Sequence, residues 1–305
     1  MNLRRVIVSL LLIASVCLLV MPAPVSKAQN PDMVVLHVRV TDPTDKAVRD
    51  VPQTAFQVTE DGVPQKIELF MNEEIPLTYG LMIDSSGSLH DQFEAIVNAT
   101  RNIVSANKDS DETFLVRFIS SDKIETLQEF TTDKKQLLDG LDSLYIEGGA
   151  TALLDAIYLS ADHLAKHPTP AGQLRRKVLI LVTDGDERTS YYKKEQLFKL
   201  LASTDTQMFT IGFTKDLKPA QRDKAVKLLT QLASETGGRT FFPGSKDELQ
   251  RISADIINDI RTQYVIGYVP AAGAKNSFHK VLVSINQGAE QDKRVAITRV
   301  GYARK

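Results

Sequence analysis

The chain has 305 residues, 37 basic and 38 acidic side chains, and a formal net charge of −1. This near balance argues against nucleic acid as a partner, because chains that bind nucleic acid carry an excess of basic residues. One cysteine in the whole chain excludes a disulfide framework, and the length suggests one large domain with a small one, or two domains.

Residues 1–28 have the pattern of a secretory signal peptide. Two arginines precede a mainly apolar run over residues 6–20, and the small residues Ser26 and Ala28 fit a cleavage site. An uncleaved anchor is the alternative, because the run approaches the roughly 18 residues that a membrane helix needs. Cleavage after Ala28 removes three of the 37 basic residues and no acidic one, so the net charge becomes −4. We therefore expect an exported chain, secreted, periplasmic or at the cell surface, with no membrane span after cleavage.

Residues 31–74 alternate apolar and polar side chains, as strands with one buried face do. In VVLHVRV, Val34, Leu36, Val38 and Val40 fall on one face, with His37 and Arg39 on the other, which indicates a solvated side chain for His37. The stretch AFQVTEDGVPQKIELF predicts two strands around a turn at Asp61 and Gly62. No helix is predicted in this segment.

In residues 75–262 buried strands alternate with amphipathic helices. The stretches LTYGLMID, TFLVRFI, RRKVLILVTD and TQMFTIGF predict buried strands, KIETLQEF an edge strand and RTFF a short strand. Helical spacing of apolar residues predicts helices after Leu89, in KKQLLDGL and TALLDAIYLSADHLA, and over about 192–202, 220–236 and 246–262. This alternation indicates an α/β fold with a doubly wound, mostly parallel sheet that is covered by helices on both faces.

Strand patterns return in residues 263–305. The stretches QYVIGYVP, HKVLVSI and RVAITRVGY predict three strands separated by turns. This tail and the segment 31–74 each have about forty residues, too few for either to bury a core alone. We therefore expect the two segments to pair into one small β-sandwich, with the α/β domain of residues 75–262 inserted between them.

Side chains that carry oxygen atoms follow three of these elements. The stretch DSSGS follows the first buried strand, EGGATALLDA has two glycines before a threonine, and the aspartate of LVTDGDE closes another buried strand. Open parallel sheets bind ligands beyond the carboxyl ends of their strands. The candidate ligands are Asp84, Ser86, Ser88, Thr151 and Asp184. An all-oxygen set of this kind suits a hard cation such as Mg²⁺.

Each of these pieces also has a plainer explanation when it is taken alone. A serine in DSSGS could cap the next helix, Thr151 could be an N-cap, and Asp184 could be a turn residue before glycine. Asp186 and Glu187 are predicted as a solvated loop that could also enrich the negative field of the site. The metal-site hypothesis therefore depends on the whole set.

The set resembles the von Willebrand factor A domain with its metal-ion-dependent adhesion site, over about residues 75–262. The motif positions are D-x-S-x-S, a later threonine after glycines, and T-D-G at a strand end. The resemblance implies that the serines and the threonine coordinate the cation directly, and that the aspartates do so directly or through water. It also implies Mg²⁺ or Mn²⁺ as the cation.

The same resemblance implies a function. In the family the last metal ligand is often an Asp or Glu side chain of a partner protein, so we expect metal-dependent, adhesion-type protein binding. The β segments on either side of the α/β domain resemble a bacterial secreted group of A-domain-related proteins. That second likeness concerns architecture more than activity.

Two other classes of function compete with this hypothesis. An enzyme is not expected, because the sequence has no G-x-S-x-G elbow, no phosphate-binding P-loop and no histidine spacing that suggests a catalytic triad. The absence of cysteine after residue 28 and of paired histidines disfavours zinc as the metal. A structural function is the other alternative: the metal holds loops together and the β-sandwich does the binding.

Overall fold

The computed structural model describes residues 32–270, 277–286 and 293–304, so the predicted signal peptide lies outside the described residues. The strands are β1 (Val34–Thr41), β2 (Phe56–Glu60), β3 (Val63–Gln65), β4 (Leu69–Met71), β5 (Leu77–Asp84), β6 (Glu112–Phe118), β7 (Ile124–Thr131), β8 (Arg176–Thr183), β9 (Thr206–Gly212), β10 (Thr240–Phe241), β11 (Tyr264–Tyr268), β12 (Phe278–Ile285), β13 (Val295–Ile297) and β14 (Gly301–Ala303). The α-helices are α1 (Phe93–Ser105), α2 (Lys134–Asp142), α3 (Leu153–Lys166), α4 (Lys194–Ser203), α5 (Pro219–Thr236) and α6 (Lys246–Arg261). None of the helices in the described ranges has the length and apolar character needed to cross a membrane.

Six strands form the central sheet, in the order β10-β9-β8-β5-β6-β7. Neighbouring strands pair in parallel, except that β7 runs antiparallel to β6 at one edge. Every residue of β5 is buried, because the strand lies inside the sheet and has helices above and below it. The predicted doubly wound, mostly parallel sheet is confirmed, and KIETLQEF is its antiparallel edge strand.

Helices cover both faces of this sheet and build two apolar cores. Successive side chains of a strand point to opposite faces. In β5, Leu81 and Ile83 therefore join a core with α1, α2 and α6, whereas Met82 joins a core with α3, α4 and α5. Burying apolar surface on both faces contributes about 25 cal/mol per Å² and fixes β5 firmly in the middle of the domain.

The N- and C-terminal segments form two further sheets, in the orders β13-β1-β11-β4 and β14-β12-β2-β3. Antiparallel pairing joins β1 to β11, and β2 to β12, so each sheet contains strands from both ends of the chain. A shared core lies between the sheets and includes Leu36, Phe56, Ile266 and Val283. The predicted small β-sandwich built from both segments is therefore present.

The last predicted strand, RVAITRVGY, is divided in the structure. Its first part, β13, pairs with β1 in one sheet, and its second part, β14, pairs with β12 in the other. Between them the backbone N–H of Val300 donates to the carbonyl of Glu235 in α5, at 3.1 Å. Our prediction of one strand was wrong because alternation along a sequence does not show where a chain crosses from one sheet to the next.

The prediction of a solvated His37 was also wrong. His37 is 3% exposed and Arg39 is 4% exposed, because the second face of β1 packs against the α/β domain. Nε2 of His37 lies 3.4 Å from a carboxylate oxygen of Asp205, which precedes β9. Arg39 lies 3.6 Å from the buried Asp259 of α6. The sandwich and the α/β domain thus meet through a buried histidine and a buried arginine, each beside a carboxylate.

Gly80 gives a test of packing around the strand that carries the candidate site. A Cβ atom at this position would lie 2.3 Å from the Phe114 ring and 2.8 Å from a methyl group of Leu179. We expect Gly80→Ala to lower the free energy of unfolding by about 2 kcal/mol, because overpacking strains a close-packed core. Urea unfolding measures this difference, provided that the slope of the free energy of unfolding against urea concentration is the same for both proteins.

The matched control is Gly244→Ala, where the nearest heavy atom to the added Cβ is 3.5 Å away. We expect its stability to stay within about 0.5 kcal/mol of wild type. Equal stabilities for the two variants would contradict the packing described for β5.

Candidate metal site

Two candidate ligands lie at the carboxyl ends of neighbouring strands. Asp84 is the last residue of β5, and Asp184 directly follows β8. The parallel register pairs Ile83 with Val182, which places Asp84 beside Thr183 at the same edge of the sheet. Asp84 is fully buried and Asp184 is 4% exposed. The chain therefore holds two carboxylates close together at an edge with little access to water.

The carboxylate of Asp84 is held by two hydrogen bonds. One oxygen accepts from the Thr183 hydroxyl at 2.7 Å, and the other accepts from the Ser86 backbone N–H at 3.0 Å. Burial, together with the Asp184 charge, raises the pKa of Asp84 to about 6, against the lowering effect of the Thr183 hydrogen bond. The local field therefore lacks positive charge, which a bound cation would supply.

The two predicted serine ligands are in contact. Their hydroxyl oxygens lie 3.0 Å apart, at the start of a short 3-10 turn over Gly87–Gln92 that leads into α1. Ser86 is buried, whereas Ser88 is exposed. The D-x-S-x-S loop thus begins at a buried carboxylate and ends at an exposed hydroxyl, so the candidate site opens to solvent on the Ser88 side.

Thr151 lies two residues before α3, which begins at Leu153 with Ala152 as its N-cap residue. It is therefore not the helix N-cap that its sequence context suggests. Its carbonyl accepts from the backbone N–H groups of Arg188 and Thr189, at 2.9 and 3.3 Å. These bonds fasten the Thr151 loop to the loop that begins with Asp184.

Other backbone bonds tie the first and second loops. The N–H of Glu147 donates to the carbonyl of Ser85 at 2.9 Å, and Ser86 forms a bridge with Glu147. The structure thus connects all three loops that carry the predicted ligands. Hydrogen bonds join Asp84 to the backbone of Ser86, and the Ser86 hydroxyl to that of Ser88. Asp184 acts on Asp84 through its charge. Thr151 is held through its backbone carbonyl.

Asp186 and Glu187 do not form the solvated loop that we expected. Asp186 is 7% exposed and accepts hydrogen bonds from Arg188, at 2.7 Å, and from Gln221. Glu187 accepts from the backbone N–H of Leu154 at 2.9 Å, which satisfies a donor in the first turn of α3. Both carboxylates thus stabilise the loop that follows Asp184.

A glycine permits the turn directly after Asp184. Gly185 has φ = +80°, a conformation that side chains other than glycine seldom adopt. A Cβ atom there would also lie 2.8 Å from the Cβ of Ala225 in α5. The glycine in T-D-G therefore lets the chain leave the sheet while it stays close to α5.

The donor set fits a hard divalent cation. Five residues whose side chains offer only oxygen atoms lie in three connected loops at one edge of the sheet, and among the described residues no cationic side chain is a main influence on the buried Asp84 carboxylate. Oxygen ligands suit Mg²⁺ and Mn²⁺. The residues that would hold the ion remain the predicted ones: Asp84, Ser86, Ser88, Thr151 and Asp184.

Sequence reasoning quoted Thr183 within T-D-G but gave it no role in this site. Its hydroxyl donates to Asp84 and accepts from the backbone N–H of Gly185 at 3.0 Å. The signal in the sequence is the threonine of T-D-G, a hydroxyl at the end of the apolar strand VLILVT. That signal acquires meaning only when β8 is known to lie beside β5.

A second cluster of metal-binding residue types lies in the β-sandwich. Single ligand atoms of Glu60, Asp61 and His279 lie within 4.8 Å of one another. Glu60 accepts from the hydroxyls of Tyr268 and Tyr302, at 2.6 and 3.0 Å. Asp61 shares a 2.8 Å hydrogen bond with His279. These bonds link β2 and its turn to β11, β12 and β14.

Comparisons with known proteins agree with the sequence motif. The model of the von Willebrand factor type A domain matches residues 80–255. No curated protein matches the sequence. Among solved structures, a von Willebrand factor type A protein from Catenulispora acidiphila is 12% identical, with a TM-score of 0.49, over 91% of this chain and 75% of that one.

Another similar structure is that of proximal thread matrix protein 1 from the mussel byssus. It is 15% identical, with a TM-score of 0.49, over 61% of this chain and 48% of that one. The match thus spans about half the length of the mussel protein. A further structure of that protein, 14% identical with a TM-score of 0.47 over the same shares, is described as having a zinc-occupied MIDAS motif.

Replacing Thr183 with valine tests the hydrogen bond that orients Asp84. We expect Thr183→Val to weaken Mn²⁺ binding about tenfold, because a group that orients a metal ligand contributes to affinity. Titration calorimetry of the variant and wild type measures the change. The control is Thr210→Val, at a buried residue of β9 whose hydroxyl donates to Thr240 instead. Equal affinities for wild type and Thr183→Val would contradict the orienting role.

Proposed function

The chain belongs to the von Willebrand factor type A family, and we propose that it is a metal-dependent protein-binding module. A divalent cation, Mg²⁺ or Mn²⁺, is held at the carboxyl edge of the central sheet. Its remaining ligand position takes an Asp or Glu carboxylate of a partner protein. The partner is a protein and not nucleic acid, in keeping with the slight excess of acidic residues in the chain.

The observation that carries this proposal is the asymmetry of the site. Mg²⁺ takes an octahedral shell of oxygen ligands. Five side chains that give one atom each leave at least one position free, and the exposed Ser88 marks the side from which another ligand can arrive. A cation held largely by neutral hydroxyls attracts an anionic oxygen at that position.

Nearby carboxylates of the chain itself are engaged elsewhere. Asp186 pairs with Arg188, Glu187 bonds to the start of α3, and Asp155 accepts from the backbone N–H groups of Tyr191 and Tyr192 at 2.9 and 2.7 Å. These bonds favour an external carboxylate as the last ligand. An external ligand is what a bridging, adhesion-type function requires.

We also propose a binding role and not hydrolysis for the two serines. Within the described residues, no histidine forms a hydrogen bond to Ser86 or Ser88, and their hydroxyls bond to each other. A serine nucleophile needs an adjacent base within hydrogen-bond reach. This arrangement supports coordination of a cation better than nucleophilic attack.

The proposed place of action is outside the cytoplasm. The support comes from the signal-peptide pattern of residues 1–28, and a secreted, periplasmic or cell-surface location follows if this segment is cleaved. The mature chain would contain no cysteine, so its stability in an oxidising compartment depends on packed cores and on the bound ion.

Water-proton relaxation with Mn²⁺ tests whether an external carboxylate reaches the ion. Mn²⁺ bound to the protein with exchangeable water enhances relaxation. We expect the peptide acetyl-Gly-Glu-Gly-amide to lower this enhancement saturably, because its carboxylate displaces bound water. The isosteric glutamine peptide should leave the enhancement unchanged. The Asp84→Ala variant should show no enhancement with or without peptide, because it does not bind Mn²⁺.

One outcome would support the structural alternative instead. If wild type shows the enhancement but both peptides leave it unchanged, the ion binds without accepting an external carboxylate. The metal would then only hold the loops together.

A further inference from the structure

A cleft with basic residues lies directly beside the candidate metal site. It has a volume of about 620 Å³ and lies between the loop after Asp184, the start of α4 and one side of α5. The lining residues are Leu154, Gly185, Asp186, Glu187, Arg188, Lys194, Gln221, Lys224, Lys227 and Leu228. Gly185 directly follows the predicted metal ligand Asp184, so the cleft borders the loop that carries this ligand.

The charges in this cleft are unbalanced. Its lining carries four cationic side chains against two carboxylates, although the whole chain has a net charge of −1. The Asp186 carboxylate accepts from Arg188 and from Gln221, and Glu187 accepts from the start of α3 and from Ser190. Arg188 offsets the charge of Asp186, and Glu187 faces the start of α3, so the lining keeps a net charge of +2 (four cationic side chains minus two carboxylates).

The three lysines of the cleft have no acidic partner among the described residues. Lys224 and Lys227 are exposed and lie three positions apart on α5, so they project from the same side of that helix. Lys194 is half-buried, with its ammonium 5.5 Å from the centre of the Phe198 ring. Three positive charges thus border one concave surface and are free to meet an anionic ligand.

We propose that the partner presents an acidic segment and not a single acidic residue. One carboxylate of that segment binds the cation, and the carboxylates beside it lie in the cleft against Lys194, Lys224 and Lys227. The inference rests on the proposed function and adds a chemical class of partner to it. Opposite charges across an interface speed association and set specificity.

Fluorescence anisotropy with two labelled peptides tests the inference. One peptide has eight consecutive glutamates, and the other has a single glutamate in a run of glutamines of the same length. With Mn²⁺ present, we expect wild type to bind the octaglutamate about tenfold more tightly than the single-glutamate peptide. Raising the salt concentration should reduce this difference, because exposed charges are screened. EDTA should abolish tight binding of both peptides.

The variant Lys224→Gln/Lys227→Gln removes two positive charges and keeps most of each side chain. We expect it to lose most of the preference for octaglutamate while it binds the single-glutamate peptide and enhances water relaxation with Mn²⁺ as wild type does. The matched control is Lys199→Gln, at an exposed lysine of α4 that does not line the cleft. That control should keep the full preference.

The outcomes separate this inference from the proposed function. If both peptides bind wild type equally, or the double variant keeps the full preference, the acidic segment is ruled out and metal-dependent carboxylate binding stands. Tight binding of octaglutamate that persists in EDTA also overturns the inference, because the cation then takes no part. If neither peptide binds to protein that holds Mn²⁺, the inference and the proposed function both fail.

Discussion

Two carboxylates at the ends of neighbouring parallel strands impose the main electrostatic constraint on this molecule. Asp84 and Asp184 are buried at one edge of the central sheet, where the loss of water and the neighbouring Asp184 charge both disfavour ionisation of Asp84. Hydrogen bonds from Thr183 and from backbone N–H groups offset part of that cost. The remaining cost favours binding of a divalent cation. The functional conclusions about the site depend on that binding.

The rest of the fold holds this edge rigid and keeps it open. Bonds from the 184–192 loop to the start of α3 lock the second and third ligand loops together. The β-sandwich contacts the opposite end of the sheet, where Arg176 begins β8 and donates to the carbonyl of Gln263 before β11, and where Asp205 precedes β9 and lies near His37. The described contacts of the sandwich thus lie at the end of the sheet opposite the candidate metal site.

Much of this arrangement follows from the sequence, for identifiable reasons. Continuous apolar runs and helical spacing predicted the parallel sheet, and a parallel sheet gathers strand ends at one edge, which is why Asp84 and Asp184 were expected together. Contacts between distant residues could not be predicted in the same way. Thr183 gains its role from β5, and Glu187 from α3. The burial of His37 depends on a second domain covering a face that alternation alone marks as polar.

Thermal unfolding of the chain without residues 1–28 tests the central claim most directly. It would be recorded in EDTA and then with Mg²⁺, Mn²⁺, Zn²⁺ and Ca²⁺, for wild type and for Asp84→Ala. A cation that binds only the native state raises the free energy of unfolding by mass action, by about 2.7 kcal/mol at a free concentration of one hundred times Kd. The melting temperature Tm rises accordingly. The account predicts a rise with Mg²⁺ or Mn²⁺ in wild type and none in the variant. No rise with any ion, or equal rises in both proteins, would contradict a cation site at Asp84.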